Sequence, residues 1–146
     1  MRRTLFSLAV LVFALSACGV TGDTTVTLPP NATKVSESVN IKEIDTLITQ
    51  WKKVAPEQMK ADAVKPETLE ETVYTAPSTL ADIQTYYNNL VTTKGWFTVK
   101  KMTNLQNDQV VLLGYEHGTT ALVVGAIDAT RFGGTGVVVY TLKGTK

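Results

Sequence analysis

A chain of 146 residues with 44% apolar and 18% charged side chains has the make-up of one folded domain, which sets aside a disordered or fibrous protein. Its formal charge of +1 includes Arg2 and Arg3; without them twelve basic side chains face thirteen acidic ones, a balance of −1 that leaves no clustered basic surface for nucleic acid. A single cysteine forms no internal disulfide, and one cysteine with one histidine cannot supply the ligand set of a transition-metal centre.

In chain order, the first seventeen residues fall into three zones. Arg2 and Arg3 give a positive start, Leu5 to Leu15 is an almost wholly apolar run, and the small Ser16 and Ala17 precede Cys18. This is the layout of a secretory signal peptide. The run falls short of the roughly 20 residues that a permanent membrane-spanning helix takes. Leu15-Ser16-Ala17-Cys18 resembles the lipobox of bacterial lipoproteins. The resemblance implies that the Cys18 sulfur receives a diacylglycerol, that the peptide is cut before Cys18, and that Gly19, where an aspartate would retain the protein in the inner membrane, leaves it free to reach an outer one. The implied partner is a membrane, cell or outer, with the domain lipid-anchored on its extracytoplasmic side.

Residues 19 to 33 are rich in Thr, Gly and Pro and read as a flexible tether. The chain thus divides into a signal peptide (1–17), a lipidated cysteine and tether (18–33), and one domain (34–146). Within the domain, Asn40 and Glu43 have capping-box spacing ahead of Ile41, Ile44, Ile48 and Trp51, which predicts a helix over 41–55 ending near Pro56. Residues 68–74 suggest a strand. Pro77, the Thr79/Asp82 pair, the stripe Leu80, Ile83, Tyr87, Leu90 and Val91, and then Gly95 define a second helix. Short strands follow near 96–103, 109–116, 119–127 and 136–142. Their apolar runs are continuous, so either one helix covers each face or one face meets a partner. The expected fold is α+β: an antiparallel sheet of four or five strands packed with two α-helices.

Tyr86-Tyr87-Asn88-Asn89-Leu90 followed by Gly95-Trp96 is similar to a pattern in small uncharacterised bacterial envelope proteins, and implies a fold but no activity. No catalytic set emerges. His117 precedes Gly118 and reads as a turn residue; Glu70 and Glu71 are adjacent and point opposite ways on a strand; Asn104, Asn107 and Asp108 lack a calcium-loop pattern. Lys52-Lys53 and Lys100-Lys101 read as solvated faces. Arg131-Phe132-Gly133-Gly134-Thr135-Gly136 reads as a flexible loop, with Arg131 and Phe132 as candidate contacts, and Tyr86, beside the apolar stripe, as a third. The expectation is a non-catalytic interaction or structural module of the cell envelope, needing no metal or cofactor and meeting an envelope protein partner. The alternatives are a binder of a small apolar ligand or lipid between helix and sheet, and a hydrolase built on carboxylates.

Overall fold

Residues 121–127 and 137–142 bury side chains on both sides of the chain, and this double-sided burial sets the architecture. The computed structural model describes residues 22–99 and 108–146. Within them β1 (Thr33–Lys34) leads to α1 (Lys42–Ala61), then β2 (Glu70–Ala76), α2 (Leu80–Lys94), β3 (Phe97–Thr98), β4 (Val110–His117), β5 (Thr120–Asp128) and β6 (Val137–Thr145). The strands form one sheet in the order β1-β2-β6-β5-β4-β3, antiparallel throughout. The fold is α+β with two helices. The sheet has six strands, not four or five, because two-residue edge strands flank the four long ones.

One helix lies on each face. Ile44, Ile48, Ala55 and Met59 of α1 pack with Val123, Ile127, Val138, Tyr140 and Leu142. Ile83, Tyr87 and Leu90 of α2 pack with Leu113, Tyr115, Leu122, Val124 and Val139 on the other side. Gly125 sits at the centre of β5 because the Trp51 ring occupies the place of a side chain: a Cβ there would lie 2.5 Å from Trp51 Cζ3. The same indole packs obliquely on Tyr140, with ring centres 6.2 Å apart.

Helix α2 begins and ends as its sequence signals require. The Thr79 Oγ1 accepts from Asp82 N (3.2 Å) while Asp82 Oδ2 accepts from Thr79 N (2.9 Å). Gly95, at φ 70°, closes the helix in the left-handed conformation that favours glycine. Helix α1 differs from expectation at both ends. Its N-cap is Ile41, with no side-chain cap, and Asn40 turns at φ 60°. Asp45 takes over the expected role of Glu43, accepting from Ser38 Oγ (2.7 Å) and Val39 N (3.0 Å). The helix also passes through Pro56 to Ala61, because Ala55 and Met59 bury themselves on the sheet and offset the one backbone bond that proline cannot make.

The tether assignment is corrected from Asp23 onward. A six-stranded sheet is roughly 24 Å wide and a helix covers about 10 Å of it. Helix α2 lies over β4 and β5, leaving β6 and β2 uncovered on that face. An extended N-terminal strap fills the gap. Thr24, Val26 and Leu28 turn inward while Asp23, Thr25 and Thr27 face solvent, and Val26, Leu28 and Ala32 join the α2-side core. The strap then enters β1, paired to β2 at Thr33↔Thr75 and Lys34↔Tyr74.

Candidate functional site

The strap is held along α2 by four contacts. Lys94 Nζ donates to Asp23 Oδ2 and to the Thr25 carbonyl, both at 2.8 Å. Tyr86 Oη donates to the Thr27 carbonyl at 3.0 Å and lies 2.7 Å from Thr27 Oγ1. Its ring stands edge-on to Tyr87 at 5.3 Å. Tyr86, a candidate contact for an external partner, thus has an internal role as the clasp of the strap. Removing its hydroxyl in Tyr86→Phe is expected to lower stability by about 1 kcal/mol, read as a fall of roughly 5 °C in the thermal midpoint.

The Lys94 ammonium, with help from Thr25, holds the Asp23 carboxyl well below the usual carboxylate range. Because the folded-state value is the lower one, the stability that the tie contributes is fully present above the ordinary pKa near 4 and is lost progressively as pH falls from there through the lower folded-state value.

Where the strap begins, the backbone of Gly22 lies flat against the His117 ring; a Cβ would come within 2.2 Å of His117 Cε1. His117 is not the turn residue that the sequence suggested. It is the last residue of β4, buried, paired with Thr120, and its ring lies 5.7 Å from that of Trp96. Gly118 alone carries the positive φ (56°) of the two-residue turn, so the histidine is free to pack inward. Trp96 is 1% exposed, and its indole N–H has no partner among the described residues.

Beneath the strap the hydroxyls of Tyr74 and Tyr87 are 2.8 Å apart, and burial pushes both phenols above their ordinary range. Beside them a space of about 70 Å³ is lined by Val26, Leu28, Glu70, Thr72, Thr141 and Lys143, among others. A cavity for a small apolar ligand or lipid would need a few hundred Å³ of mostly apolar wall. Val26 and Leu28 occupy the ground that such a ligand would take.

Arg131 and Phe132 lie in a closed turn, not in the open loop that the glycines suggest. Residues Ala129–Phe132 make a 3₁₀ turn closed by Gly134 N to the Ala129 carbonyl (2.9 Å) and Ala129 N to the Gly136 carbonyl (3.0 Å). Phe132 packs into the α1-side core, and Arg131 reaches Asp108 and Asp128, each at 3.6 Å. Asp128 serves this turn, accepting from Thr130 N and Oγ1 at 3.0 and 2.6 Å, and the hydroxyl holds its carboxyl below the ordinary value.

Glu70 and Glu71 do diverge: Glu70 pairs with Lys143 (2.9 Å), and Glu71 with Lys52 (3.0 Å) on the opposite face. No group of three His, Cys, Asp or Glu side chains converges among the described residues. No helix among them is long and apolar enough to cross a membrane. Cys18, Asn104, Asn107 and the Lys100-Lys101 pair lie outside the described residues.

Sequence reasoning missed the strap and missed Phe97, which is 72% exposed beside the buried Trp96. The alternation of Thr24, Val26 and Leu28 was the available signal for the first. No family model, curated protein or solved structure matches the chain.

Proposed function

We propose that this chain is a bacterial lipoprotein of the cell envelope, held to a membrane by lipid on Cys18, and that its α+β domain serves as an interaction or structural module acting through its surface. The observation that carries the reading is Leu15-Ser16-Ala17-Cys18 at the end of a charged, then apolar, then small-residue leader. Each buried methylene contributes about 0.8 kcal/mol of membrane affinity, and two or three acyl chains together give stable attachment where one does not. The interior of the domain is consistent with a role at the surface: its two helices and strap occupy the space between themselves and the sheet, and the carboxylates described above are engaged in ion pairs and turns.

The test is a Cys18→Ala variant expressed in a bacterium alongside the parent chain. The parent is expected to sediment with membranes and incorporate labelled palmitate. The variant is expected to lose the label wholly and to leave the membrane fraction on salt and carbonate washing. A variant that stays membrane-bound and labelled contradicts the proposal.

A further inference from the structure

We infer that the end of the sheet carrying Phe97 rests on the bilayer that receives the lipid of Cys18, with the Phe97 ring in the headgroup layer. This rests on the lipoprotein reading above and adds an orientation to it. The first ground is the length of chain between anchor and fold. Gly22 is fixed against His117, and Asp23 is tied to Lys94 at 2.8 Å. From Cys18 to Gly22 the chain advances four residues, at most about 14 Å when fully extended. Gly22 therefore stays within about 14 Å of the acylated residue, less than half the thickness of a bilayer core of ~30 Å. Had the strap been a free tether to residue 33, the reach would have been roughly 50 Å and no face would have been selected.

The second ground is what shares this end of the sheet with Gly22. Glu116, next to His117 but facing the other side of the sheet, pairs across the ladder with Phe97. The Gly118-Thr119 turn and the end of β6 complete the same edge, with Lys146 N donating to the Thr119 carbonyl at 2.8 Å. Phe97 is one of two large apolar side chains exposed among the described residues; the other, Val54, lies on α1. An amphipathic aromatic edge held this close to a membrane gains free energy by entering the interface. Three ion pairs lie near this end: Lys94 with Asp23, Lys146 with Glu116 and Lys143 with Glu70, at 2.8, 2.8 and 2.9 Å. The contact inferred is that of the Phe97 ring and needs no anionic lipid.

The experiment uses the full chain, processed in cells and reconstituted into phosphatidylcholine vesicles with brominated acyl chains. Because acylation consumes the Cys18 thiol, Phe97→Cys supplies the single free thiol for an environment-sensitive fluorophore. Thr135→Cys labels an exposed residue at the opposite end of the sheet, roughly 27 Å away along eight residues of strand. The account expects several-fold stronger quenching at 97 than at 135, unchanged at high salt. Equal quenching at both positions, in protein whose mass shows the lipid and which floats with the vesicles, overturns the seating and leaves the anchor standing. A bare thiol at Cys18 overturns both.

Discussion

Replacing both Val26 and Leu28 by aspartate is expected to lower the stability of the domain by about 3 kcal/mol, and its thermal midpoint by roughly 15 °C. These side chains supply the cover that β2 and β6 lack on the α2 face, packing beside Tyr87, Leu122, Thr72 and Thr141. A carboxylate at either position either stays in that apolar setting uncompensated or carries the strap off into water. Both routes expose Tyr74 and Val139, which are wholly buried in the intact fold. The volume-conserving pair Val26→Ile and Leu28→Met should cost under about 1.5 kcal/mol. Urea unfolding followed by tyrosine and tryptophan fluorescence measures the difference. An unchanged midpoint in the aspartate variant would mean that the strap is no part of the fold.

Gly125→Val is expected to cost about 3 kcal/mol, at the upper end of what overpacking does, because the new side chain enters the Trp51 ring from the middle of a strand hydrogen-bonded on both sides. Neither β4 nor β6 can move aside without breaking its own ladder, so the indole must leave. Trp51→Ala removes the obstacle at a cost of about 2 kcal/mol from lost contact with Tyr140 and the sheet. Combined, the two changes should therefore cost at least 1 kcal/mol less than the sum of each alone, the coupling expected of side chains that share one space. Strict additivity, read from the same urea transitions, would place the strain elsewhere.

The helices and the four long strands were legible because each carries a local signal. Thr79, Asp82 and Gly95 mark both ends of α2 within their own neighbourhood, and Val137-Val138-Val139 announces a strand buried on two sides. Helix α1 was read short because Pro56 is a strong local stop that the burial of Ala55 and Met59 overrides. That is a tertiary effect, invisible along the chain. The strap was misread for the same reason. Its Thr, Gly and Pro content says tether, and the alternation of Thr24, Val26 and Leu28 gains weight only once the width of the sheet shows that β6 and β2 lack cover. Arg131 and Phe132 followed suit: a glycine-rich run reads as loose until Phe132 is seen in the core and Asp128 is seen organising the turn. Tyr86 stood out because it had no place in the α2 stripe, and its partner was the very segment assigned to the tether.

One measurement bears on the anchor most directly: the intact mass of the processed protein extracted from bacterial membranes. The account predicts a chain that starts at Cys18 and carries the added mass of a diacylglycerol, with further acyl mass on its amino group where the host supplies it. A chain starting elsewhere, or one with an unmodified sulfur at Cys18, contradicts it.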